Sequence, residues 1–378
     1  MKRLKKITIL ISHIPNPRIL KRIKALEKDF KINLIYWDRG HQGKESFDIN
    51  PMHKIDRISI DAPRGQPVKR IAPLVKYTFR ALKLLIKTKP DIVHAANFDM
   101  LFIANVYRVI SRRNIKIFYE VADLPKYTFY NNVNSIKSLI ARLLQIIEKR
   151  MTNNISKLIL TSPYFWEKYF SKFVDSDKYL FIPNAPYKEL FNNYNKVTNE
   201  NFTIGFIGSV RYVEQLKMLI DVVDEIKDDI QVLIAGGGPG YEEILKFSEG
   251  KEFVLIYGPY NYEKEIVDLY GKLDCTYSVY DTRIDNVRIA LPNRLYESIV
   301  CEIPIIGAKN TVLGQFIEDN KIGVTVNSSD KEELKTKLID LINTKEILNS
   351  YKESCKKIKE DYYYENNVNK LVREYKKL

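Results

Sequence analysis

The stretch Leu291-Pro292-Asn293-Arg294-Leu295-Tyr296-Glu297 carries a proline, a cation and a carboxylate at spacings that suit one kind of chemistry. A proline sits where a helix would begin, Arg294 falls in its first turn, and Glu297 lies one turn further on. A helix start exposes unpaired N–H groups and partial positive charge, which favour an anion. Arg294 adds a planar fork of donors. Glu297 could accept hydrogen bonds from two neighbouring hydroxyls. This is the layout of a helix end that holds a diphosphate and then a ribose. The same residues also fit an ordinary capped helix with a surface glutamate.

Three further turns in the same half follow strand-like runs. Gly208-Ser209-Val210-Arg211 offers a close backbone approach and a cation for a phosphate. Gly236-Gly237-Gly238-Pro239-Gly240 matches neither the dinucleotide fingerprint nor the P-loop, and reads as a tight strand-to-helix turn beside a base. Tyr257-Gly258-Pro259-Tyr260 falls where a base or ribose could lie. Each is also a plausible structural turn. Their agreement is what points to a nucleotide diphosphate.

In the first half the polar candidates again fall at expected carboxyl ends of strands. They are Arg18, Arg39, Asn97 and Asp99, with Asp38, Glu120 and Asp123 beside them. Asp123 is the preferred catalytic contact from this half, although caps and turns use the same residue types. His94 ends an apolar strand and reads as a core histidine rather than a base.

These residues need a scaffold. The first half alternates strands and helices: Ile7–Ile11, Arg18–Leu26, Ile32–Trp37, a loop over 41–65 with a strand near Ile58, and a helix over Val68–Lys87. It continues with Asp91–His94, Met100–Ser111, Ile115–Tyr119, Ser135–Met151, Lys157–Thr161, Pro163–Phe170 and Lys178–Ile182. The pattern restarts at Phe202–Ile207 and runs to a helix over Asp330–Ile342, followed by a charged helical segment. Such alternation predicts an α/β fold of two Rossmann-like, doubly wound parallel-sheet domains facing each other across a cleft, where ligands bind. The expected limits are 1–185 for an acceptor-binding domain, 186–200 for a linker, 201–345 for a donor-binding domain, and 346–378 for a helical segment packing back on the first.

The 378 residues suit two domains. Cys275, Cys301 and Cys355 show no disulfide or zinc spacing, and the four histidines are scattered, so no metal is expected and a reducing cytoplasm is. The basic start Met1-Lys2-Arg3-Leu4-Lys5-Lys6 precedes an apolar run too short for a signal peptide and without a cleavage site. Nothing approaches the roughly 18 apolar residues of a membrane span. Residues 1–185 carry 35 Lys and Arg against 15 Asp and Glu, and the remainder carries 26 against 32. One basic half suggests an anionic surface or acceptor, or simply a lysine-rich solvated face. The Val68–Lys87 helix, basic and amphipathic, could lie on an anionic membrane or bury its apolar face in the core, and Ser135–Met151 is equally ambiguous. No basic-aromatic pattern suggests nucleic acid.

In this order the motifs resemble glycosyltransferase family 4 and related group 1 transferases of the GT-B fold. The resemblance spans nearly the whole chain. It rests on Pro90-Asp91-Ile92-Val93-His94-Ala95, Phe181-Ile182-Pro183-Asn184, Phe206-Ile207-Gly208-Ser209, Ala235-Gly236-Gly237-Gly238-Pro239 and above all Pro292-Asn293-Arg294-Leu295-Tyr296-Glu297. The last is similar to the P-N-K-L-x-E variant of bacterial polysaccharide transferases.

The resemblance implies a nucleotide-sugar donor, a glycan or lipid-linked acceptor, metal-independent transfer with retention, and work in the cytoplasm or on the inner membrane face. It implies that Glu297 binds the donor ribose, and that Arg211, Arg294 and the Pro292 helix end hold the diphosphate. Gly208, Ser209, Gly237, Gly238, Tyr257, Tyr260, Asn293 and Leu295 complete the expected donor site. Three positions depart from the family: Ile289 where a second glutamate is common, Glu214 where a lysine is, and Ala122 where a histidine is. They leave open a non-catalytic partner subunit of the same fold, beside the further alternative of a nucleotide-sugar epimerase.

Overall fold

The computed structural model describes residues 4–40, 53–63, 66, 68–129, 136–226 and 229–377. The chain divides into two compact units, one of residues 1–182 with 368–378 and one of residues 183–367.

In the first unit the strands are β1 (Lys6–Ile11), β2 (Lys31–Asp38), β3 (Lys54–Ser59), β4 (Ile92–Ala96), β5 (Lys116–Val121), β6 (Lys157–Leu160) and β7 (Tyr179–Phe181). The helices are α1 (Pro17–Leu26), α2 (Ile71–Thr88), α3 (Phe98–Ser111), α4 (Ile136–Thr152) and α5 (Pro163–Lys168). Every strand pairing is parallel, in the order β3-β2-β1-β4-β5-β6-β7. The central strands are buried on both faces, as their unbroken apolar runs require. Helix α1 begins as its residues dictate: Asn16 caps the Ile19 N–H at 3.1 Å and Pro17 follows as the first helical residue.

The second unit opens with α6 (Lys188–Phe191) and continues with β8 (Phe202–Ile207), α7 (Val213–Ile226), β9 (Ile230–Ala235), α8 (Tyr241–Phe247), β10 (Val254–Gly258), α9 (Tyr262–Gly271) and β11 (Cys275–Ser278). Then come α10 (Asp285–Ile289), α11 (Asn293–Val300), β12 (Ile305–Ala308), α12 (Val312–Asn320), β13 (Gly323–Val326), α13 (Lys331–Asn343) and α14 (Lys345–Ile358). The sheet order is β10-β9-β8-β11-β12-β13, again wholly parallel. Helix α15 (Tyr364–Lys376) begins in this unit and ends in the first, where Tyr375 stacks on Phe118 at 3.8 Å.

In each sheet the strand order reverses beside the first strand. The two reversal points are β1/β4 and β8/β11, and in open α/β sheets such points open a crevice at the carboxyl edge.

Several local expectations shift. The segment 186–200, read from the sequence as a linker, is packed on the second unit. Phe191 is buried with Tyr270, and the Val197 N–H bonds the Gly271 carbonyl at 2.9 Å. Helix α10 lay in a stretch without apolar period and was not foreseen. The strand near Ile58 is a full six-residue edge strand on β2. The rest of the loop expected over 41–65 lies largely outside the described residues, as do the first three residues of the basic start. Helix α2 buries Tyr77, Ala81, Leu82 and Leu85, yet its outer face still carries exposed Ile71, Val75, Phe79 and Ile86. That face is therefore not the purely lysine-rich one of the core-helix reading.

Candidate functional site

Arg294 is the second residue of α11 and is buried. Its guanidinium lies 3.9 Å from the ring centre of Phe206 on β8, and Nη1 donates to the Tyr277 carbonyl on β11 at 3.3 Å. The side chain therefore spans the β8/β11 reversal point. The Tyr280 ring centre stands 5.3 Å from the same guanidinium. Among the described residues no carboxylate lies within ion-pair distance of this guanidinium. Burying a charge without a counter-ion is costly unless an anion neutralises it.

Glycines let the turns close on this cation. Gly208 has φ +134°, and a Cβ there would sit 2.7 Å from Arg294 Nη2. Gly236, at φ +132°, passes so near Gly208 that a Cβ would fall 1.9 Å from its carbonyl oxygen. The two turns are tied by Val210 N–H to Gly237 O and Gly240 N–H to Val210 O, both 3.0 Å. Ser209 Oγ accepts from Arg211 Nε at 3.1 Å, and Arg211 itself is exposed. Gly238 packs against Ser209 closely enough that a Cβ would lie 2.9 Å from Oγ. Gly208, Ser209, Arg211, Gly237, Gly238 and Arg294 thus adjoin one another.

One turn along α11, Glu297 is buried and held on both oxygens. Tyr262 donates to Oε1 at 2.8 Å and Tyr270 to Oε2 at 2.9 Å. A carboxylate has about four acceptor sites, so this clamp leaves roughly two for a ligand. Burial, then the Glu297 charge, pushes both tyrosine hydroxyls well above their usual range. Tyr260 is raised to about 12 by burial and then by Glu297, with Arg294 opposing. Tyr260 therefore feels both charges of the site.

Other expected donor residues sit differently. Pro292 is the N-cap of α11, and Asn293 is exposed at its first position. The Leu295 side chain lies in the core, and its N–H is turned onto the Pro292 carbonyl at 3.1 Å. Tyr257 is exposed on the edge strand, where its hydroxyl meets Glu265 and its ring faces Lys272. Of the three departures, Ile289 is buried at the end of α10, Glu214 is exposed in the first turn of α7, and Ala122 follows β5.

In the first unit, Arg39 donates to the Ser12 carbonyl and lies over the Trp37 ring at 4.8 Å. Asp99, in the first turn of α3, is raised by burial and held down in part by a hydrogen bond from Ser12 and the charge of Arg39. Asn97 stands at φ +75°, and its N–H bonds the Glu120 carbonyl at 2.9 Å. Arg39, Asn97 and Asp99 thus gather around the β1/β4 reversal point. Arg18 turns inward: it is buried 3.4 Å from Glu120. Its guanidinium is pushed below its usual value by burial, with Glu120 opposing. Exposed Asp123 acts electrostatically on that same arginine.

Glu120, read from the sequence as following its strand, lies inside β5 and is wholly buried. Arg22 Nε approaches it at 3.3 Å and His94 Nε2 at 2.9 Å, while His94 Nδ1 meets the Tyr375 hydroxyl. His94 is therefore a satisfied core histidine. Sequence reasoning missed the supporting groups Phe206, Tyr262, Tyr270 and Tyr280. Tyr262 and Tyr270 are eight positions apart on one helix and so face the same way, which was the available signal.

Residues 187–359 match the family described as glycosyl transferases group 1. The succinoglycan biosynthesis protein ExoL of Rhizobium meliloti is 24% identical over 266 residues, covering 66% of this chain and 64% of that relative's length. Among solved structures, sucrose-phosphate synthase of Thermosynechococcus elongatus superposes with TM-score 0.75 at 13% identity, covering 99% of this chain and 98% of that one. Anabaena HepE in complex with UDP gives TM-score 0.71 at 12% identity over 99% and 100%. The fold is the two-domain α/β fold of the GT-B glycosyltransferases.

Proposed function

We propose that this chain, whose residues 187–359 match the group 1 glycosyl transferases, moves a sugar from a UDP- or GDP-linked donor to a glycan or lipid-linked acceptor in bacterial surface polysaccharide synthesis, capsule or lipopolysaccharide. The observation that carries the reading is Arg294, a buried cation without a carboxylate partner among the described residues, across the β8/β11 reversal point at the start of α11. In sugar transfer the departing nucleoside diphosphate gains negative charge as the glycosidic bond breaks. Fixed donors aimed at that charge lower the barrier. Arg294, the N–H groups at the α11 start and the exposed Arg211 supply them, and Glu297 takes the ribose hydroxyls.

Transfer is metal-independent in this proposal, because side chains and a helix end do the neutralising, and it retains anomeric configuration. Asp123, with Arg39, Asn97 and Asp99, serves the acceptor side, while Arg18 is spent on the buried Glu120. The protein works in the cytoplasm or on the inner face of the membrane. The name of the succinoglycan relative and the UDP bound to HepE support polysaccharide synthesis and the donor class.

The test is a panel of UDP- and GDP-sugars with lipid-linked saccharide acceptors, read as nucleotide release and product configuration by NMR. Acceptor-dependent release that Arg294→Met abolishes supports the transferase. Sugar isomerisation without acceptor identifies the epimerase alternative. Nucleotide binding without turnover across the panel identifies a non-catalytic subunit.

A further inference from the structure

Helix α4 is built with its polarity reversed. The inward stripe is Ser138, Ala141, Gln145, Glu148 and Thr152. Gln145 donates to the Tyr127 carbonyl at 2.8 Å, and Glu148 accepts from Tyr119 at 2.5 Å and Tyr169 at 2.7 Å. The outward stripe is Ile136, Leu139, Ile140, Leu143 and Ile146, exposed by 79, 69, 52, 56 and 51%. Steps of three and four residues put these on one face. A helix at a protein surface ordinarily does the opposite. Neighbouring α3 extends the surface with Phe102, Val109 and Ile110, the second of them 76% exposed. An apolar groove joins the two helices, floored by Val106, Ile147 and Met151. Contiguous exposed apolar surface of this kind marks an interaction site.

Charge selects the partner. Lys137, Arg142, Lys149 and Arg150 are exposed on α4, and none pairs with a carboxylate among the described residues. The acid of that helix, Glu148, is buried. Arg112 continues the cationic rim from the end of α3. A second copy using this face would set like charges against each other across a two-fold interface. An apolar stripe flanked by cations is instead the pattern of a helix lying in a bilayer interface.

We propose that the α3–α4 face docks on an anionic phospholipid bilayer, with the isoleucine and leucine stripe in the headgroup–acyl boundary and the cations at the headgroups. The proposal is independent of the donor chemistry above. The test is co-sedimentation of the full chain with phosphatidylcholine vesicles and with the same vesicles doped with phosphatidylglycerol. Binding is expected on the doped vesicles alone. Leu139→Ser with Leu143→Ser should lower it at least about tenfold, and Arg142→Gln with Lys149→Gln roughly fivefold per neutralised charge. Both side-chain pairs are exposed, so the melting curves should match wild type. Equal binding to neutral vesicles, no binding, or binding lost only in the α2 variant Val75→Ser with Phe79→Ser overturns the proposal. Self-association in size exclusion that the Leu139/Leu143 variant abolishes, without vesicle binding, identifies a second copy as occupant.

Discussion

Arg294 rests on Phe206: the guanidinium lies 3.9 Å from the ring centre, pinned beneath the Gly208 turn. The stacking orients the fork and shields one of its faces. Gly208 is what makes room. Gly208→Ala places a methyl 2.7 Å from Nη2 at a φ that disfavours any side chain. The backbone strain should cost about 1–3 kcal/mol. The displaced arginine should weaken UDP or GDP binding at least about tenfold, a loss of roughly 1.4 kcal/mol or more. Thermal melting and titration calorimetry measure the two effects separately.

Glu297 depends on its tyrosines. Tyr262→Phe and Tyr270→Phe each remove one donor from a buried carboxylate, costing about 1–3 kcal/mol in stability. If the clamp aims Glu297 at the ribose, both variants should also lose preference for the nucleoside diphosphate over its 2′-deoxy counterpart. Wild-type preference persisting in both variants would make the clamp purely structural.

Much of this was legible beforehand, for a definable reason. Strand–helix alternation in apolar runs such as Ile7–Ile11 and Phe202–Ile207 reports burial directly, so the two parallel sheets followed from period alone. Turns such as Gly208-Ser209 announced themselves through glycine. Residue contacts across the sheets did not. Nothing local to Glu120 says that Arg22 and His94 will surround it, or that Tyr375 will meet His94 from behind, because those partners arrive from separate elements. Helix α10 escaped because Asp285-Asn286-Val287-Arg288-Ile289 is too short to show a period. The reversed polarity of α4 was hidden as well, since periodicity reveals an apolar stripe but not which way it faces.

The buried Glu120 sets an acid limit on stability. Burial alone would raise its pKa, but Arg22, Arg18 and His94 override that and hold the carboxyl far below the ordinary value of 4.5. A depressed folded-state pKa contributes stability that is complete above the unfolded value and is lost as pH falls toward the folded one. Denaturant midpoints should therefore decline as pH drops below about 4.5, and Glu120→Gln should flatten that dependence. At neutral pH the same variant strands two buried guanidiniums and should cost about 3–5 kcal/mol.

All three cysteines are free and buried. Burial pushes the Cys355 thiol up to about 12 and raises those of Cys275 and Cys301 as well. Thiolate is the reactive form. Native protein at neutral pH should take up no iodoacetamide over an hour-scale reaction, and denatured protein three equivalents, counted by intact mass.

The central claim is that Arg294 at the α11 start holds the diphosphate of a nucleotide. Titration calorimetry of UDP and GDP into wild type and Arg294→Met tests it most directly. One nucleotide should bind wild type and lose at least about a hundredfold in affinity, roughly 2.8 kcal/mol, in a variant that melts as wild type does. Equal affinity in the two proteins, or no binding of either nucleotide to wild type, would contradict it.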